Sequence, residues 1–238
     1  MSMLSLRNIN AFYDKSHILF DVDLDLEEGQ SVCILGRNGV GKSTTLKTVM
    51  GLLGPKNHCK TEGSIQMMGK EIVGLNPYQI ASMGIAYVPQ GRHIFRSLTT
   101  KENLLIAEKK AKNGSGYWNL AKIYETFPRL KEREHSMGGR LSGGEQQMLA
   151  IGRGLMQNPK LLILDEITEG LAPIIVKQLS DIVVELVAKG ATILLAEQNV
   201  KFAMAVSRDC YILEKGTIVH HEPTAEIGDD TILKYLGT

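Results

Sequence analysis

No apolar stretch in this chain approaches the length of a membrane span, for which about 20 consecutive apolar residues are needed. The opening residues MSMLSLRNIN contain no apolar core of the secretory type. The expectation is a soluble protein that reaches any membrane by docking. Charge of one sign is missing too: 27 Lys and Arg face 26 Asp and Glu, a formal net charge of +1. Such a balance exerts no general pull toward nucleic acid or anionic lipid, and no nucleic-acid partner is expected. Cysteine is scarce. Cys33, Cys59 and Cys210 are odd in number and far apart, so they read as reduced thiols of a cytosolic protein and not as metal ligands. His58 beside Cys59 lacks a second ligand pair and reads as loop.

With 238 residues, one large α/β domain or two small ones both remain open. From Phe20 to Glu27 apolar and acidic residues alternate strictly. That period of two predicts a half-solvated antiparallel strand with Phe20, Val22, Leu24 and Leu26 on its inner face, ending in a turn at Glu28-Gly29. A second hairpin-like piece, Ser64 to Met68, lies between Gly63 and Gly69. Four other runs are apolar without alternation: Val32–Leu35, Ile85–Val88, Leu161–Leu164 and Thr192–Ala196. Continuous apolarity predicts strands covered on both faces, as in a parallel sheet between helices. Each run ends in polar or glycine-rich chemistry: Gly36, Pro89-Gln90, Asp165-Glu166 and Glu197-Gln198. Ligands of open α/β sheets sit beyond the carboxyl ends of the strands, so one site fed by four strand ends is expected. Between Thr99 and Pro159 helical spacing takes over, with Leu104, Leu105 and Glu108 beginning one helix and Met148, Ile151 and Leu155 marking another. Residues 90–156 therefore read as a helical insertion into a core made of 1–89 and 157–238, and Lys109 to Gly116 as an exposed loop.

Gly36-Arg-Asn-Gly-Val-Gly41-Lys42-Ser43 follows one of the buried runs and precedes a helical stripe of Leu46, Val49 and Met50 that Gly51 can end. Glycines at this spacing let backbone N–H groups curl around phosphate oxygens while the helix presents its positive end. Lys42 adds a mobile cation, and the Ser43 hydroxyl suits Mg²⁺. Asp165 and Glu166 close a buried run. A carboxylate there can hold Mg²⁺ through its water shell, and the next can orient or deprotonate an attacking water. Read alone, that acidic pair is no more than a strand ending in solvent; beside the phosphate loop it becomes the other half of a site. Ser142 and Glu145 have capping-box spacing. The glycines between them, Gly143 and Gly144, cost a helix about 1 kcal/mol each, so something must approach that backbone closely.

With these motifs in view, the chain resembles the ATP-binding cassette family, whose LSGGQ-type signature stands here as LSGGEQ, Leu141, Ser142, Gly143, Gly144, Glu145 and Gln146. The likeness spans nearly the whole chain. It implies a P-loop NTPase fold of α/β class: a RecA-like parallel sheet core, an antiparallel β-subdomain near the N-terminus and an inserted α-helical subdomain bearing the signature. It implies ATP held by Gly36, Arg37, Asn38, Gly39, Val40, Gly41, Lys42, Ser43 and Thr44, with Tyr13 stacking on adenine. Mg²⁺ would be met by Ser43, Gln90 and Asp165, and catalysis would rest on Glu166, Gln198 and Gln90. The signature would close on ATP held by a partner subunit's P-loop, in a head-to-tail pair lying on the inner face of the cell membrane against permease proteins.

Two departures stand out. Gln198 occupies the place of the family's switch histidine and cannot become cationic. Ile167 and Ala172 replace the usual proline and aspartate, which implies slower or differently coupled hydrolysis at this subunit's own site. The run SGGEQQMLAIGR with GLAP and EQN is similar to the ATPase subunits of branched-chain amino acid importers and of relatives importing urea or short amides. That likeness implies two different ATPase subunits, two permeases and an extracytoplasmic binding protein. The alternatives are a non-transporting cassette ATPase in DNA repair, translation or regulation, and an exporter ATPase for lipid or lipopolysaccharide.

Overall fold

Strands of two kinds divide the molecule. A computed structural model describes residues 2–54, 58–109 and 117–237; most of the loop expected at Lys109 to Gly116 lies outside them. The first sheet is antiparallel and four-stranded, made of β1 (Ser2–Tyr13), β2 (Ser16–Glu27), β4 (Cys59–Met67) and β5 (Lys70–Glu71) in the order β2-β1-β4-β5. The second has six strands: β3 (Ser31–Leu35), β6 (Ile85–Val88), β7 (Leu161–Asp165), β8 (Thr192–Glu197), β9 (Asp209–Glu214) and β10 (Thr217–Pro223). Their order is β10-β9-β3-β8-β7-β6, parallel throughout except for the antiparallel edge pair of β9 and β10. All four non-alternating runs are strands of this sheet.

Continuous apolarity has a simple cause here. Successive strand residues point to opposite faces, and both faces are covered. Val32, Ile34, Leu194 and Ala196 join one core with β1, β2, β4 and the helix α1 (Lys42–Val49). Cys33, Leu35, Ile193 and Leu195 join another with α6 (Gly143–Leu155), α7 (Pro173–Ala188) and α8 (Val200–Val206). The shorter helices are α2 (Pro77–Ser82), α3 (Thr100–Leu105), α4 (Leu120–Thr126), α5 (Pro128–Glu132) and α9 (Asp229–Leu236). Among the described residues no helix is long and apolar enough to cross a membrane.

Three local expectations need correction. Phe20 is exposed, not inward: Asp21 adopts a left-handed conformation, φ +45°, and the pairing of β1 with β2 is irregular nearby. A bulge of this kind turns the chain by one residue and breaks the alternation. β4 runs straight through Gly63, which is not its boundary. A Cβ on Gly63 would lie 2.4 Å from the Asn8 carbonyl oxygen, at the register shift between β1 and β4, so glycine is there to let the bulged strand approach. Finally, α3 ends at Leu105, which is exposed, and Glu108 lies past it. The strands β1, β9 and β10, and the helices α7 to α9, carried signals that the reading of the sequence did not use.

Candidate functional site

Four strand ends do meet. The loop after β3 wraps back so that the Lys42 ammonium, buried, donates to the Gly36 and Arg37 carbonyls at 2.8 and 2.9 Å and pairs with a Glu166 carboxylate oxygen at 2.9 Å. Gly39 and Gly41 take positive φ, +80° and +114°, which glycine adopts without strain. Gly36 has a different reason: a Cβ there would sit 2.5 Å from the Leu213 carbonyl of β9, so packing of strand on loop excludes any side chain. α1 starts from Gly41 without a side-chain cap. Its first-turn N–H groups are orphan donors, and Thr44 lies half-buried in that turn.

Ser43 donates to Asp165 Oδ1 at 2.8 Å, and Tyr87 of β6 donates to Oδ2 at 2.7 Å. Burial pushes the Asp165 carboxyl above its ordinary range, opposed by these two hydroxyls. Burial also pushes the Tyr87 phenol up, with the Asp165 charge adding to it. The Gln90 amide, just beyond β6, donates to Glu166 at 2.9 Å and to Glu169 at 2.8 Å. Glu166 itself is left-handed, φ +45°, a costly backbone state that surrounding structure must hold and that clusters at active sites. Gln198 lines a cleft of about 260 Å³ with Asn38, Glu166, Thr168 and Glu169. Tyr13, at the end of β1, is partly buried and packs against the same core as Tyr87.

Side chains of the phosphate loop are not all turned to that cleft. The Arg37 guanidinium donates to the Leu236 carbonyl at the end of α9, 3.1 Å away, where a cation is favoured, and the Val40 carbonyl accepts from Gly216. Glu197, just before Gln198, reads from the sequence only as the polar end of a strand. It is buried and accepts from the Thr168 hydroxyl at 2.9 Å and from the Thr168 N–H at 3.2 Å. Burial pushes its carboxyl up to about 7 in spite of those donors. Tyr87, Thr168 and Glu169 escaped the sequence reading, since none belongs to a recognisable pattern.

The signature residues stand apart from this cluster. α6 packs mainly on α3, α5 and β6, whereas α1 packs on β1, β2, β7 and β8. Ser142 caps α6 with a complete capping box: the Glu145 N–H donates to its hydroxyl, and its own N–H donates to Glu145 at 2.8 Å. The Gln146 amide donates to the Gly138 and Leu141 carbonyls, and Leu141 is buried. Both glycines are closely approached from within the chain. A Cβ on Gly143 would lie 2.5 Å from the Arg92 guanidinium, and one on Gly144 would lie 2.8 Å from the Ile175 side chain.

Chemically, the cluster offers a buried cation, two carboxylates at the end of one strand and an uncapped helix start, a combination made for phosphate and an attacking water. Known proteins agree. The ABC transporter family model matches residues 19–169. The high-affinity branched-chain amino acid transport ATP-binding protein BraG of Pseudomonas aeruginosa is 43% identical over 225 residues, 94% of each chain. The probable branched-chain amino acid transport ATP-binding protein LivF of Archaeoglobus fulgidus is 36% identical, again covering 94% of each. The lipopolysaccharide export system ATP-binding protein LptB of Escherichia coli K12 is 33% identical over 100% of this chain and 98% of its own. Among solved structures, a nucleotide-free ATP-binding cassette from an ABC transporter superposes with a TM-score of 0.81 at 28% identity, covering 100% of this chain and 96% of that one. A buried Lys42, the Asp165-Glu166 strand end and a family match over most of the chain lead to one conclusion: this protein belongs to the ABC transporter family, as an ATP-hydrolysing cassette.

Proposed function

We propose that this cassette powers an importer of branched-chain amino acids or of related small polar solutes such as urea or short amides. The closer likeness to BraG and LivF than to LptB supports the importer, as do Gln198 and Ala172. The observation that carries the catalytic reading is the ion pair of Lys42 with Glu166, beside Gln90. Lys42 exchanges Glu166 for β- and γ-phosphate oxygens when ATP enters. The released Glu166 carboxylate then faces the attacking water, and Gln90 fixes its orientation. Gln198 donates to the γ-phosphate without supplying charge, and Tyr13 stacks on adenine.

The Ser43 and Asp165 oxygens converge within 2.8 Å, and no group of three His, Cys, Asp or Glu among the described residues forms a metal cage. Such a sparse oxygen set fits Mg²⁺, which keeps several waters and borrows phosphate ligands. Ser43 and Asp165 would hold it, with Gln90 at its edge. When bound, the ion neutralises charge developing on the transferred phosphate.

In this reading Leu141 to Gln146 form a surface for the ATP held by a second cassette subunit, and residues 90–156 carry the motion of that closure to permease subunits on the inner face of the membrane. A binding protein outside supplies the solute. The test is Glu166→Gln in the assembled transporter. ATP affinity should persist while hydrolysis falls by about 10² to 10⁴-fold; hydrolysis at the wild-type rate would remove Glu166 from the mechanism. The full-length match to LptB favours an exporter as second reading. ATP-driven uptake of radiolabelled leucine or urea into vesicles separates the two, since an exporter takes up neither.

A further inference from the structure

The segment that follows β6 touches both halves of the site. Gln90 reaches the carboxylates of Glu166 and Glu169. Two residues on, the Arg92 guanidinium donates to the Glu169 and Gly170 carbonyls, each at 3.1 Å. The same guanidinium lies against Gly143, where a Cβ would be only 2.5 Å from its Nη1. Next along, the His93 carbonyl accepts from Arg153 of α6 at 2.6 Å, and the Arg153 guanidinium covers the Phe95 ring at 4.5 Å. Arg92 holds this place from a left-handed backbone, φ +56°. A non-glycine residue keeps such a conformation only where its neighbours over-determine it. One guanidinium nitrogen, Nη2, serves both carbonyls while the other, Nη1, lies against Gly143, two tasks spread over a planar group that the single ammonium of lysine does not offer.

We propose that Arg92 is a positioning residue that locks the first turn of the signature helix to the loop after Glu166, giving the surface turned to a partner's nucleotide and the loop that lines this subunit's own cleft one fixed relation. The proposal rests on the two-subunit reading above. Gly143 then has a reason inside its own chain: a methyl group there would expel the guanidinium and break the lock. Arg92 makes no contact with Lys42, Ser43 or Asp165 and so leaves this subunit's own nucleotide affinity alone.

The experiment uses the full chain with Mg-ATP as probe, first alone and then with its partner subunits. Arg92→Ala should keep wild-type ATP affinity and KM, lower kcat by roughly ten- to a hundredfold through misplacement, and speed hydrogen exchange at the amides of residues 145–149. Arg92→Lys should restore exchange protection only in part, and serves as the second variant if Ala perturbs folding. Wild-type exchange at 145–149 in both variants overturns the lock, whatever the rate. Weakened ATP affinity also overturns it, because Arg92 would then act on its own P-loop. Should wild-type and variant both fail to hydrolyse ATP with partners present, the transporter reading falls, and the exchange data alone decide on Arg92.

Discussion

α1 and α6 both begin beside glycines, and they begin differently. α1 opens from Gly41 with no side-chain cap, next to a buried ammonium, and its neighbours are strands. α6 opens from Ser142 with its capping box closed and its glycines already approached by Arg92 and Ile175. The first start, with its orphan donors beside that ammonium, is suited to act as a receptor for an anion; the second already has its cap satisfied within the chain. Glycine is thus not one signal. At Gly41 it frees the backbone, at Gly36 it admits a strand carbonyl, and at Gly143 it admits a guanidinium.

The largest expected effect breaks the α1 side. Lys42→Ala removes the phosphate cation and strands the Glu166 carboxylate. ATP binding should weaken by about 10- to 100-fold and hydrolysis by more than ~100-fold; unchanged affinity by calorimetry would refute the receptor reading of α1. Next comes the buried acid behind the site. Glu197 is held protonated to about 7 in the folded chain, whereas an unfolded glutamate titrates near 4.3. Between those values the native state keeps a proton that the unfolded state has lost, so stability falls as pH rises. The loss totals about 4 kcal/mol and is complete above roughly pH 8. Glu197→Gln should flatten that stretch of the urea-denaturation stability profile; a profile parallel to wild type would show that Glu197 is charged when folded. The smallest effect belongs to α6. Ser142→Ala should cost about 1 kcal/mol of stability and leave the chain's own ATP affinity intact, while slowing hydrolysis only when a partner is present. A drop in ATP affinity of the isolated chain would erase the contrast between the two helix starts.

Local sequence revealed what is locally determined. The phosphate loop, the Asp165-Glu166 strand end and the Ser142 cap each consist of neighbours in the chain, and the six-stranded sheet announced itself in four apolar runs. Tyr87 looked like one more apolar strand residue because its hydroxyl partner, Asp165, is 78 positions away. Glu197 read as the polar end of a strand, and nothing nearby in sequence predicts that Thr168 caps it in the interior. Phe20 was misassigned for the opposite reason. Its alternation was perfect, yet one left-handed residue at Asp21 cancelled it. Arg92 needed three separate segments to be seen together.

Along β8, Leu194 presses on the compartment shared with Leu46 and Val49, and Leu195 on the one shared with Phe202 and Ile151. One step along the strand crosses from one compartment to the other, with no soft layer between. Close-packed protein interiors pass strain on instead of absorbing it. The six-stranded sheet therefore acts as a stiff diaphragm: displacement on either side emerges at its rim, where the strands end and Lys42, Asp165 and Glu197 are found.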